Sequence, residues 1–131
     1  MREVEQRRNV ITSVSLNDST NILATDIFVP FIPDEMIIRY GTYLDVNTTN
    51  GRVPPDVVNI KTQISNDPYL ILCSLLNTNQ CQTLKAHISL NKPVNGEITF
   101  YILNPDFTDI TNITGAFSLH LEFIKYKTIK H

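Results

Sequence analysis

The clearest secondary-structure signal in this chain is the segment Phe117–Phe123, FSLHLEF. Apolar and polar side chains alternate strictly through it, which is typical of a β-strand with one face in a core and the other face in solvent. An amphipathic helix would instead repeat its apolar positions every three or four residues. The segment therefore predicts a half-buried strand, which we extend over residues 116–127.

Seven further strand-like runs precede this segment, and clusters of turn-forming residues separate them. The runs cover residues 10–16, 22–29, 36–46, 57–64, 69–76, 84–90 and 97–103. The composition also favours strands, because the chain has 16 Ile, 9 Val and 14 Thr but only 3 Ala, the best helix former. About eight strands at this spacing predict an all-β fold: a single antiparallel β-sandwich of jelly-roll or related Greek-key topology.

The domain organisation follows from length and charge. A chain of 131 residues suits one domain with its own hydrophobic core, which we assign to residues 10–131. Residues 1–9, MREVEQRRN, are crowded with charges and carry one aliphatic side chain, Val4. Because such a segment has little to bury, we predict a flexible charged arm that is free or added to a neighbouring subunit.

Composition excludes several classes of protein. Charged residues make up 18% of the chain and the formal net charge is −2, which argues against a disordered tail or a basic nucleic-acid binder. No apolar run approaches the roughly 18–20 residues that span a bilayer, so we expect no membrane span. The first residues lack the apolar stretch of a secretory signal, and we therefore expect no signal peptide.

Candidate chemical residues are few. Cys73 and Cys81 are the only cysteines, and without a secretory signal we expect two reduced thiols. His87 and His120 fall on predicted strands, where a lone histidine is usually a surface or core residue. Neither a C-x-x-C nor an H-x-x-x-H metal motif occurs, nor a G-x-S-x-G nucleophile motif. The sequence thus predicts no catalytic, cofactor or metal site and no enzymatic activity.

Two segments carry a resemblance to a known group of proteins. The closing run Gly115–Tyr126, GAFSLHLEFIKY, resembles the last strand of small jelly-roll virion proteins from large double-stranded DNA viruses and virophages. The run KPVNGEITFYI over residues 92–102 resembles the strand that commonly precedes it. The resemblance implies a structural role in a capsid, as a minor capsid, penton-type, spike or cement subunit. It implies no catalytic residue, and it implies location in the virion after synthesis in the host cytoplasm.

The leading hypothesis is therefore a non-enzymatic virion building block. Its expected partners are further copies of itself, in a trimer or pentamer, and other capsid proteins, with no nucleic acid and no cofactor. The loops over residues 47–56 and 104–115 would form one end of the sandwich, and Asn50-Gly51 in the first loop favours positive φ. The candidate assembly contacts come from the arm and these two loops: Arg2, Arg7, Arg8, Asn50, Arg52, Asp106 and Phe107.

Two other functions compete with this hypothesis. A carbohydrate- or receptor-binding module of the adhesin or lectin kind would use loop aromatics and polar groups to hold a glycan. A small jelly-roll enzyme of the cupin kind would need a histidine-rich metal cluster, and the chain has only 3 His. Glycan binding and metal analysis distinguish these functions from a building block.

Overall fold

The computed structural model describes residues 2–16, 22–51, 53–62, 72–106 and 115–128. These residues form eight β-strands and one short 3-10 turn, Thr49–Gly51. The strands are β1 (Val4–Leu16), β2 (Ile22–Phe28), β3 (Glu35–Leu44), β4 (Val57–Thr62), β5 (Cys73–Leu76), β6 (Thr78–Ser89), β7 (Asn95–Leu103) and β8 (Gly115–Tyr126). No helix in the described part of the chain has the length and apolar character needed to cross a membrane.

The strands form two four-stranded antiparallel sheets. Sheet 1 has the order β1-β8-β3-β6, and sheet 2 has the order β2-β7-β4-β5. The first strand pairs with the last, the second with the second to last, and so on inward: β1 with β8, β2 with β7, β3 with β6, and β4 with β5. The chain thus resembles one long hairpin whose successive strand pairs alternate between the two sheets. This wrapping is the jelly roll, and it confirms the predicted all-β sandwich.

The hydrophobic core lies between the two sheets and explains the alternation in β8. Phe117, Leu119, Leu121 and Phe123 are at most 1% exposed, and the core cluster also includes side chains from every strand of sheet 2. Each of these large side chains stabilises the fold by roughly 1.5–3 kcal/mol on burial. The intervening residues of β8 lie on the outer face of sheet 1, as the alternation predicts.

Strand bounds depart from the predicted runs most clearly in β6. This strand begins at Thr78, whereas the apolar pattern predicts a start at residue 84. The first half of β6, TNQCQT, is polar and mostly exposed, and it belongs to the sheet because it pairs with β3. An edge strand of this kind is held by backbone hydrogen bonds, which a search for apolar residues does not detect. Predicted strand residues 63–64 and 69–71 lie outside the described residues.

The N-terminal segment corrects the prediction of a flexible arm over residues 1–9. Residues 4–9 belong to β1, and they pair with β8 from Val4 opposite Tyr126 to Asn9 opposite Glu122. Beyond the strand, the backbone N–H of Lys127 donates to the carbonyl oxygen of Glu3 at 2.8 Å. Residues 4–9 are held by these backbone hydrogen bonds rather than by apolar burial. Their lack of apolar side chains therefore did not indicate a flexible segment.

The strand register places the long loops together. Leu44, at the end of β3, lies opposite Ala116, near the start of β8, and Leu103, at the end of β7, lies opposite Asn59 in β4. The connections over residues 45–56 and 104–114 therefore leave the sandwich at the same end, in agreement with the prediction for these loops. We call this end the loop end.

Candidate functional site

The structure separates the predicted assembly contacts into two surfaces at opposite ends of the molecule. The arginines Arg2, Arg7 and Arg8 lie on or just before the first half of β1, far from the loop end, where Leu16 lies opposite Gly115. Asn50 and Asp106 belong to the loop end and are exposed. Arg52 and Phe107 lie outside the described residues.

The loop end carries exposed aliphatic side chains. Val46 and Val53, on either side of the 3-10 turn, are 76% and 86% exposed, and Leu76, at the end of β5, is 56% exposed. Asn50 lies between the two valines with φ of 58°, which confirms the expectation of positive φ in this loop. Leu76 lies opposite Val57, so it belongs to the same end of the sandwich as the valines.

A partly buried polar framework joins two segments of this end. The side chain of Asn77 accepts a hydrogen bond from the backbone N–H of Asp45 at 2.8 Å and donates one to the Asp45 carbonyl at 2.7 Å. Asp45 is only 2% exposed, and its carboxylate accepts a hydrogen bond from the N–H of Asn47 at 3.1 Å. The turn between β5 and β6 is thereby tied to the end of β3, so Val46 and Leu76, which adjoin Asp45 and Asn77, sit on an anchored backbone.

The outer face of sheet 1 has a shallow depression, produced in part by a β-bulge in β3. The register shifts between Ile38 and Tyr40, which places both Arg39 and Tyr40 on the outer face. The rings of Tyr40 and His120 approach with centroids 5.6 Å apart and a tilt of 45°. The depression has a volume of about 190 Å³ and is lined by Ile11, Tyr40, Gly41, Cys81, Ser118, Leu119 and His120.

A charged cluster spans three strands beside this depression. The carboxylate of Glu122 lies 3.1 Å from Arg39 Nη2 and 3.8 Å from Arg7 Nε, and the Glu122 side chain is 9% exposed. Alternation in β8 predicts that Glu122 faces solvent, and the residue does lie on the outer face, but the two neighbouring strands cover it. The partners are far apart in sequence, so no local motif marks the cluster.

A second polar cluster lies at the end of the molecule opposite the loop end. Glu35 accepts a hydrogen bond from Tyr126 Oη at 3.0 Å, and its other carboxylate oxygen contacts Nδ1 of His87. The guanidinium of Arg2 lies 5.0 Å from the centre of the Tyr126 ring. Desolvation by burial, followed by the hydrogen bond to Glu35, raises the pKa of Tyr126. These contacts tie β6, β3 and β8 together and hold Arg2 against them.

The thiols occupy different environments. Cys73 lies in β5, half-buried beside the core, and burial raises the pKa of its thiol to about 12. Cys81 is exposed in the first half of β6, before the predicted run over residues 84–90. Both thiols are free. Among the described residues no group of three or more His, Cys, Asp or Glu side chains is arranged to hold a metal ion.

Comparison with known proteins yields one structural likeness. No protein-family model matches the chain, and no curated protein matches it. A solved structure described as "Bacillus endospore appendages form a novel family of disulfide-linked pili" has a TM-score of 0.40 and 9% sequence identity to it. That match covers 95% of this chain and 90% of the other. The assignment of a jelly roll rests on the strand order itself.

Proposed function

We propose that this protein is a non-enzymatic structural building block that acts by self-association and by docking to neighbouring subunits. The observation that supports this proposal best is the loop end, where Val46, Val53 and Leu76 are each more than half exposed, and where Val46 and Leu76 adjoin the hydrogen-bonded Asp45 and Asn77. When a second surface covers exposed aliphatic side chains, the free energy of association becomes more favourable by about 25 cal/mol per Å² of apolar area buried. Fixed positions lower the conformational entropy lost when such a surface binds.

The more specific proposal is a subunit of a virion, in keeping with the resemblance of the last two strands to small jelly-roll virion proteins. Eight-stranded jelly rolls occur in viral capsids and in lectin domains, so the fold is compatible with this role but does not select it. In this proposal copies of the chain join around the loop end into a closed ring, a trimer or pentamer, that docks to other capsid proteins.

Measurement of molar mass in solution tests the proposal. We expect light scattering across a range of concentrations to give a discrete oligomer for the natural chain. The double variant Val46→Ser/Val53→Ser should lower the molar mass of that oligomer, because it removes the apolar side chains that a neighbour would cover. Ile32→Ser is the matched control, since Ile32 is 51% exposed but lies in the β2–β3 connection at the other end. A monomer at every concentration would contradict the proposal.

A carbohydrate- or receptor-binding module is the alternative, and the outer-face depression favours it. Tyr40 is 43% exposed and its ring lies beside that of His120, an arrangement on which a sugar ring can stack. A glycan array tests this function with the natural chain and Tyr40→Ala. Tyr101→Ala is the control, because Tyr101 lies in sheet 2, where Lys61 is 5.4 Å from its ring centre. Binding that Tyr40→Ala abolishes and Tyr101→Ala retains would support the alternative, and no binding by the natural chain would contradict it.

A further inference from the structure

Strand β1 forms one edge of sheet 1. Its 13 residues pair with β8 on one side, and the sheet order ends at β1 on the other side. The outer side of such a strand presents a row of backbone N–H and C=O groups that can pair with another strand. Residues 5–9 and Ile11 are exposed, so this row is accessible along the first half of β1.

The charges on this half of β1 are arranged in two blocks. Glu3 and Glu5 come first, and Arg7 and Arg8 follow, with Gln6 between them. When two such strands run antiparallel about a twofold axis at Gln6, Glu5 of each lies opposite Arg7 of the other, and Glu3, which also pairs with Lys127 of its own chain at 3.1 Å, lies diagonal to that Arg7. Parallel pairing in register would place like charges together. The segment is therefore complementary in charge to an antiparallel second copy of itself.

The opposite edge of the same sheet lacks this property. Strand β6, TNQCQTLKAHIS, contains no acidic residue and carries Lys85 and His87 in its second half. Pairing of β1 with β6 of another copy at the same level of the sheet would bring the arginines beside this basic half. Strand β6 also has two register irregularities against β3, which make its edge less regular.

The Glu122 cluster adds to the complementarity. One carboxylate there is shared by Arg7 and Arg39, so the three side chains carry a formal charge of +1. The Arg7 side chain is 54% exposed, and its guanidinium has five N–H donors, enough for a second carboxylate. A glutamate from the acidic block of a second copy would neutralise the cluster.

We propose that two copies of this protein associate through the first half of β1, antiparallel about a twofold axis near Gln6, to join their first sheets into one continuous sheet. This inference rests on the proposed function and identifies one contact surface for it, separate from the loop end. The register break between Val4 and Gln6 limits the regular ladder, so the contact is short and depends strongly on charge. We therefore expect the association to weaken as salt rises.

Charge reversal tests the contact. The variants Glu3→Arg/Glu5→Arg and Arg7→Glu/Arg8→Glu each make the facing blocks alike in sign, and we expect the association constant of each to fall about tenfold or more. An equimolar mixture should recover association, because the two variants are complementary to each other. Lys85→Glu on the β6 edge is the control and should leave the constant unchanged. Circular dichroism confirms that each variant is folded, and sedimentation equilibrium gives the constants.

A crosslink fixes the geometry of the contact. In a Cys81→Ser background, Gln6→Cys places one thiol per chain near the proposed axis, and oxidation should yield a disulfide-linked dimer. Glu97→Cys in the same background is the control, since Glu97 is exposed in sheet 2. An oligomer whose mass is unaffected by both charge reversals would overturn the β1 contact and leave the proposed function standing. A natural chain that is monomeric at all concentrations would overturn both.

Discussion

Replacement of Gly115 by alanine tests how closely the start of β8 approaches the end of β3. Gly115 has φ of 124°, a conformation that residues with a Cβ rarely adopt. A Cβ there would overlap the carbonyl oxygen of Leu44 and lie 3.0 Å from the Cα of Asp45. Because both are backbone atoms of the neighbouring chain segment, no side-chain rotation relieves the contact.

Gly96 provides a matched control for the conformational part of the cost. It has the same φ of 124°, but a Cβ there has no heavy atom within 4 Å. Gly96→Ala should therefore lower the free energy of unfolding only by the backbone strain, about 1–3 kcal/mol. Gly115→Ala should cost that strain and a further 1–3 kcal/mol or so, since an overpacked site must displace its neighbours. The difference between the two variants isolates the close approach of β8 to β3.

Chemical denaturation measures this difference. The free energy of unfolding follows from the denaturant midpoint at constant slope, and both variants are compared with the natural chain at one protein concentration. For a domain of this size, an extra 1–3 kcal/mol also lowers the melting temperature of Gly115→Ala below that of Gly96→Ala by about 4–12 °C. Equal midpoints for the two variants would show that the approach of Gly115 to Leu44 is not as tight as described.

Three further predictions concern the thiols, the loop end and the core. In the folded protein a thiol reagent at pH 8 should modify Cys81 rapidly and Cys73 only on unfolding, because a pKa of about 12 leaves about one Cys73 thiol in ten thousand ionised. Peptide mass spectrometry identifies the modified residue. Equal modification rates for the two thiols would contradict the burial of Cys73. Asn77→Ala should lower the free energy of unfolding by about 1–3 kcal/mol, since it removes the two hydrogen bonds between the Asn77 side chain and the backbone of Asp45. An unchanged denaturation midpoint would show that this framework does not stabilise the loop end. Phe123→Ala should lower the free energy of unfolding by about 3–5 kcal/mol, because the side chain is fully buried. Phe28→Ala should lower it far less, since Phe28 is 59% exposed. Similar denaturation midpoints for the two variants would argue against the assigned core.

Much of the fold was predictable because its signal is local. Alternation in a strand with one buried face is visible within seven residues, and the apolar residues of Phe117–Phe123 are all buried, although Glu122 is buried as well. The abundance of β-branched residues and the near absence of alanine point to the same class. Strand count and the choice of a jelly-roll or Greek-key sandwich follow from the spacing of such runs, although spacing alone did not distinguish these two topologies.

The candidate site was predictable only in part. The loops over 47–56 and 104–115 were identified from their polar composition, and the register does bring them to one end of the sandwich. The outer-face depression was not foreseen, because it arises from a bulge in β3 that places Arg39 and Tyr40 on the same face. A bulge adds one residue to one strand, and only the pairing with neighbouring strands reveals it.

The amino-acid order alone determined that this chain forms strands, where most of them lie and which side chains enter the core, because burial on one face of a strand imposes a period of two residues. Tertiary structure decided which strands are neighbours. It placed the charged N-terminal segment against β8 and brought Arg39 to Glu122, 83 positions away along the chain. Backbone hydrogen bonds between strands depend little on side-chain identity, so pairing and the sites it creates depend on the whole chain folding together.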